Sequence, residues 1–340
     1  MTTAAEENEL SRVLFHYDFT PAHIEQRNSI IKIETFRGIF ALKGTPMSAS
    51  KQQSFLAARN ALTSRSLSAL PILPNKYGDH FINSESQCYY LMPWINETTT
   101  DLHVKYERLI DAAAALHSGT VQTVRKNKEE TETFYQQIMD RWQRRKEFYE
   151  RFADFAEHRI YPSPFEQYYL TTFVQLMREH EQMKNVLDQW SQANAESEED
   201  RIVLCHRQLL PEHLLIENEQ NYLISLEHVQ PDRPASDLVF LLKRANKDLR
   251  FDEEQCHQMI QRYLSQFPLS SQERLLLRGM IHQTNEFHQI LVDYIERTDR
   301  TGDITFVERW SKTLSVFEGI YHLDKVLDQT EEPGQSKSTP

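Results

Sequence analysis

Glycine is the scarce residue of this chain, with eight in 340 residues, about 2.4% against a usual share of roughly 7%. No two of them lie closer than six residues, so GxGxxG and Walker-type loops are excluded. Cysteine is scarcer still. Cys88, Cys205 and Cys256 are too few and too scattered for a disulfide framework or a zinc knuckle, which points to folding in a reducing compartment. The chain has no apolar run of the roughly 18 residues that a membrane span needs. Its first residues, MTTAAEENEL, lack the basic and apolar regions of a secretion signal. Cytoplasmic synthesis and no membrane partner are the expectations. With 50 acidic against 38 basic side chains and a net charge of −12, the field of the molecule repels phosphate backbones, and nucleic acid is not expected as a partner.

What the chain does contain changes character along its length. Alternation suggests a strand around Arg12 to Phe19. From Ile30 to Lys43, β-branched and aromatic residues read as two strands joined at Gly38, which supplies the positive φ of a hairpin turn. The spacing predicts a helix from Lys51 to Leu70, ended by Pro71 and Pro74, and short strands at His80 to Asn83 and Gln87 to Trp94. Beyond Asn96 the apolar period becomes helical. Leu102 to Leu116, Phe134 to Phe155 and Phe165 to Trp190 read as long amphipathic helices, the last two separated by Pro162 and Pro164. Their aromatic stripes are expected to be core.

Short apolar runs return at Ile202–Cys205, His213–Ile216 and Tyr222–Leu226. The rest is helical, with a capping box at Ser270 to Glu273. The reading is therefore a disordered N-terminus over 1–10 and a β-rich lobe over 11–96. A helical lobe over 97–328 follows, containing the island 201–228, and 329–340 is a disordered tail.

Several segments resemble kinase motifs. His206-Arg207-Gln208-Leu209-Leu210-Pro211-Glu212-His213 is similar in frame to the kinase catalytic loop HRDLxxxN. Phe40-Ala41-Leu42-Lys43 is similar to the VAIK strand. Ile224-Ser225-Leu226-Glu227 stands where a metal-binding aspartate follows an apolar strand. Leu116-His117-Ser118 and Asp237-Leu238 resemble the LHS and DLA segments of aminoglycoside phosphotransferase-like proteins. Order and spacing together resemble the CotS spore coat family of bacilli from about Leu14 to Leu327.

The resemblance implies an α+β, two-lobed protein-kinase-like fold with a small antiparallel-sheet N-lobe and a large helical C-lobe. It also implies spore coat proteins as partners and the spore coat as destination. In that frame Gln208 replaces the catalytic base, and His213 and Ser225 replace the two metal ligands. An amide is no base at pH 7, imidazole is a poor ligand for a hard cation, and a hydroxyl carries no charge to neutralise Mg²⁺. No catalytic residue, no metal site and no cofactor is therefore expected.

Lys43 has no acidic residue to meet between Gly44 and Gly78. It is left with a vestigial phosphate role, a pairing with Glu34 across the hairpin, or solvent. Glu227 is the one nearby carboxylate, placed by strand alternation on the face of Ser225. The alternative function is an active phosphotransferase binding ATP and Mg²⁺ through Lys43 and Glu227. His206 is expected to brace its loop, and Asp237 to brace the helical lobe. His206, Glu212, His213, Glu227 and His228 lack the regular spacing of a zinc site.

Overall fold

Leu10, Val13, Leu14 and Tyr17 stand at the i, i+3, i+4, i+7 spacing of one helix face. The first three stand in a helix from Ala4 to Phe15 and Tyr17 in the turn that follows it, which corrects the strand expected from Arg12 and, for residues 4–10, the disorder expected over 1–10. Its period is 3.6 and not 2, and its apolar stripe finds a sheet to cover. The structure, a computed structural model, describes residues 4–18, 20–27, 30–63, 67–84, 87–297 and 302–329. Residues 330–340 of the expected tail lie outside them. Gln329 does not, being the last residue of a helix.

The elements begin with α1 (Ala4–Phe15), β1 (His23–Arg27), β2 (Ile30–Thr35), β3 (Gly38–Thr45), α2 (Ala49–Thr63), β4 (Ser68–Ala69), β5 (Ile82–Asn83), β6 (Cys88–Pro93) and α3 (Leu102–Thr120). Then come β7 (Gln122–Arg125), α4 (Lys128–Glu157), α5 (Pro164–Ala195), β8 (Glu199–Cys205), β9 (Leu214–Glu217), β10 (Gln220–Leu223) and β11 (Gln230–Asp232). The last are α6 (Ala235–Leu249), α7 (Glu253–Leu264), α8 (Ser271–Ile281), α9 (Asn285–Ile295) and α10 (Asp303–Gln329). Among the described residues no helix is long and apolar enough to cross a membrane.

Contacts divide the chain into two compact units, Met1–Thr120 with Leu204–Pro231, and Val121–Val203 with Asp232–Pro340. The expected division at residue 96 is thus replaced, because α3 and the island belong with the sheet. The reasons are local. Ala112 to Ala115 and Gly119 keep α3 slim, and a Cβ at Gly119 would lie 2.9 Å from that of Ala61 on α2. In the island, β10 pairs antiparallel with β9 and parallel with β4. The β4 strand occupies residues expected to be helix, since α2 ends at Thr63.

The first unit carries a five-stranded antiparallel sheet in the order β1-β2-β3-β6-β5. The expected hairpin is β2–β3, with Thr35 opposite Gly38 and Gly38 at φ +135°. Strand β1, ahead of the hairpin, forms the edge of the sheet. Register puts Ile31, Ile33, Phe40, Leu42, Tyr89 and Leu91 on one face, where Val13 and Leu14 of α1 and Tyr17 just beyond it cover them. The opposite face carries Lys43 and Tyr90, directly paired across β3 and β6.

The second unit is built on α4 and α5. Ser163 and Glu166 form a capping box with Pro164 in the first turn of α5, and the expected box at Ser270 and Glu273 opens α8. Most of the aromatic stripe is core, as expected. Trp142 stacks on His180 at 5.0 Å and donates its indole N–H to the His180 carbonyl at 2.8 Å. Burial pushes the His180 imidazole down to about 4, so it is neutral at pH 7. Phe155 departs from the expectation, at 52% exposed. Elsewhere in the unit, His282 lies between two carboxylates, its Nδ1 3.0 Å from Glu179 and its Nε2 3.4 Å from Asp324. Arg278 also meets Asp324, at 2.7 Å.

Candidate functional site

The site grows out of the inner face of the sheet. Lys43 is on β3 because the strand alternates Phe40, Leu42 toward α1 and Ala41, Lys43 away from it. Its ammonium donates to the Ser225 hydroxyl at 3.1 Å and forms an ion pair with Glu227. Glu34, the other carboxylate considered for Lys43, is taken instead by Lys32 at 2.7 Å.

Glu227 reaches Lys43 by a route that strand alternation does not describe. Ser225 is left-handed, at φ 63° and ψ 36°, and ends the extended run. Leu226 to His228 then form a 3-10 turn. The turn, not a shared strand face, brings the hydroxyl and the carboxylate to one ammonium. The second carboxylate oxygen of Glu227 accepts from the Tyr90 hydroxyl at 2.9 Å.

The group is dry, with the Lys43 side chain 12% exposed and that of Glu227 3%. Burial raises the Glu227 carboxyl, but the Lys43 charge and hydrogen bonds from Lys43, the backbone and Tyr90 outweigh it and hold the group below its ordinary range. Burial first, then the negative charge of Glu227, drives the Tyr90 phenol well above its usual value. Tyr90 is locked from the other side by Phe55 and Phe81, at ring distances of 5.2 and 6.1 Å. Lysine, glutamate, tyrosine and serine thus satisfy one another, as a buried ion pair must.

Around this core the loop residues brace the backbone. His206 accepts the Gln208 N–H on Nδ1 at 3.3 Å, which leaves Nε2–H to donate to the Ile224 carbonyl at 2.8 Å. His213 donates Nδ1–H to the Gln208 carbonyl at 2.7 Å, and its own carbonyl accepts from the Ile224 N–H at 2.9 Å. The structure therefore brings Lys43, His206, Gln208, His213, Ser225 and Glu227 into one neighbourhood. Asp237 is buried in the first turn of α6.

Two contributions were not read in the sequence. Tyr90 stands there only as part of an apolar strand, and its signal is its register opposite Lys43. Trp94 follows β6 and holds the cations of Arg27 and Lys32 at 5.5 and 5.4 Å from its ring. Lys32 lies on the Lys43 face of the sheet, since Lys32 pairs with Ala41.

No protein family model matches the chain, and no curated protein does. Solved structures do. An aminoglycoside phosphotransferase from Alicyclobacillus acidocaldarius superposes with a TM-score of 0.75 at 14% identity, over 94% of this chain and 96% of that one. The chain has an aminoglycoside phosphotransferase-like kinase fold. A microcompartment-associated aminopropanol kinase shares it at a TM-score of 0.56 and 12% identity, over 94% and 99% of the two chains. The AMP-bound spectinomycin phosphotransferase does so at 0.55 and 12%, over 96% and 99%.

Magnesium nucleotide does not fit the donors that this kinase fold presents here. A divalent cation of this kind takes oxygen, with carboxylates supplying the charge. Among the described residues the neighbourhood of Lys43 offers an amide, imidazoles, a hydroxyl and one carboxylate, and that carboxylate is already bonded on both oxygens.

Proposed function

We propose that this kinase-fold chain is a catalytically degenerate binding or scaffold protein rather than a phosphotransferase. The observation that carries the reading is the Lys43–Glu227 pair. In a working site the lysine grips phosphates and a carboxylate holds metal. Here the two groups neutralise each other, and Tyr90 and Ser225 complete their hydrogen bonding. The rival reading, an active enzyme using Lys43 for phosphates and Glu227 for metal, requires the two to part and to expose a buried charge on each side. That separation costs several kcal/mol, on the order of 3–5 when one partner of a buried pair is removed.

A thermal-shift titration with ATP, run with Mg²⁺ and with chelator, tests the proposal. The expected result is no shift at millimolar nucleotide in either condition. A magnesium-dependent stabilisation that Lys43→Ala abolishes overturns it.

For the setting, the support is the resemblance to the CotS family, and within it to YutH-like endospore coat-associated members. The proposed partners are accordingly spore coat proteins, with nucleic acid and bilayers disfavoured by the net charge of −12. A fluorescent fusion followed in sporulating cells is expected to move from the mother-cell cytoplasm to a shell around the forespore. A fusion that stays diffuse throughout sporulation refutes the setting while leaving the ATP result standing.

A further inference from the structure

The second unit holds a cavity of about 590 Å³ where α4 ends and α5 begins, and none of its lining residues belongs to the first unit. Its walls are aromatic and its rim is cationic. Phe148, Phe152 and Phe155 line it from α4 and Ile295 from the end of α9. Phe155 and Ile295 are 52% and 54% exposed, an unusual exposure for two large apolar side chains facing one hollow.

Three arginines share the lining with one carboxylate, and their charges can be matched individually. Glu166 is fully buried and accepts from Arg159 at 2.7 Å, the Ser163 N–H at 2.7 Å and the Tyr294 hydroxyl at 3.0 Å. Arg297 lies 4.1 Å over the Tyr294 ring and is paired with Asp303. Arg151 is left over. Its Nε donates to the Glu147 carbonyl at 3.2 Å, one turn back on the same helix. Among the described residues no carboxylate pairs with its guanidinium, and a guanidinium can take a carboxylate in two parallel hydrogen bonds.

We propose that this cavity binds an aryl carboxylate, with the anion on Arg151 and the flat apolar body against Phe148, Phe152, Phe155 and Ile295. The volume lies within the range of small-molecule sites, roughly 300–1,000 Å³. One unmatched cation selects a monoanion, whereas an acidic peptide needs several. Aromatic walls favour a ring that stacks offset or edge-on. The site stands apart from the nucleotide reading, so the two can fail separately.

The test is calorimetric titration of the full chain with 2-naphthoate, and with 2-naphthylmethanol as its uncharged counterpart. Saturable one-to-one binding of naphthoate is expected, with the alcohol weaker by about tenfold, the worth of a charge-assisted hydrogen bond. Arg151→Ala, an exposed position on α4, is expected to bring naphthoate down to the level of the alcohol and leave the alcohol unchanged. Ile295→Glu is expected to abolish both. Absence of saturable naphthoate binding at millimolar concentration, equal binding of the two probes, or indifference to Arg151→Ala overturns the proposal.

Discussion

Lys43 and Glu227 form a buried ion pair between a strand of the sheet and a 3-10 turn of the island. Glu227→Gln keeps the size of the side chain and removes its charge, stranding the lysine. The expected loss is about 3–5 kcal/mol at pH 7. Because the carboxyl is held below its ordinary value, its contribution is present above about pH 4.5, the unfolded value, and disappears as pH falls through the folded one. Urea unfolding of both proteins from pH 7 to pH 3 is therefore expected to show curves that converge on the acid side.

Restoring the catalytic residue types is expected to fail while Glu227 stays in place. Ser225→Asp places a carboxylate beside an ammonium that Glu227 already holds, and the left-handed backbone at Ser225 accepts aspartate. In Gln208→Asp, His213→Asn, Ser225→Asp, magnesium-dependent ATP binding is expected to stay absent by calorimetry until Glu227→Ala is added. Binding by the triple variant alone contradicts the view that Glu227 blocks the lysine.

His282 makes the opposite pH prediction in the second unit. Burial lowers its imidazole, but hydrogen bonds and charge from Asp324 and Glu179 win and leave it raised. Its contribution is full below about pH 6.5 and is lost as pH rises through the folded value. His282→Gln is expected to destabilise at pH 6 and to matter less at pH 9. Asp324, whose carboxyl is brought down to about 2 by His282 and Arg278 against burial, keeps its share until strongly acid pH. NMR titration of the His282 ring protons follows the basic limb directly.

Gly319 on α10 exists to make room. A Cβ there would lie 2.6 Å from Cγ of Asn246, whose amide donates to the Val316 carbonyl at 2.6 Å and accepts from the Phe251 N–H at 3.3 Å. Gly319→Ala is expected to cost about 1–3 kcal/mol by overpacking, and Asn246→Ala a similar amount by orphaning buried backbone groups. The double variant is expected to cost less than the sum by about 1 kcal/mol or more, since each change relieves the other. Additive losses in chemical denaturation reject this account.

The residues that revealed their structure in advance did so through local chemistry. Ile30 to Lys43 needed only β-branched side chains and Gly38, the long helices needed only their period and the break at Pro162 and Pro164, and α8 its capping box at Ser270. What stayed hidden depended on partners distant in sequence. Leu10, Val13, Leu14 and Tyr17 show helical spacing, yet their short stretch also alternates, and the sheet that settles the matter is completed by residues near 90. Ser68 and Ala69 form a strand only because Tyr222 and Leu223 lie beside them. The partner of Lys43 was foreseeable as a carboxylate but not as Glu227 in this geometry, since nothing in a serine announces a left-handed backbone.

The first unit is interrupted in sequence by residues 121–203, and this sets a timetable for the nascent chain. Lys43 and Ser225 are 182 residues apart, which at about 5–20 residues per second of synthesis is roughly 10–40 s. During that interval the sheet has emerged with α1 able to cover its outer face, while its inner face carries a cation whose counter-ion has yet to be made. The last segment of the first unit to be synthesised is the one that neutralises it, so the lysine can be dehydrated only after the island has left the ribosome.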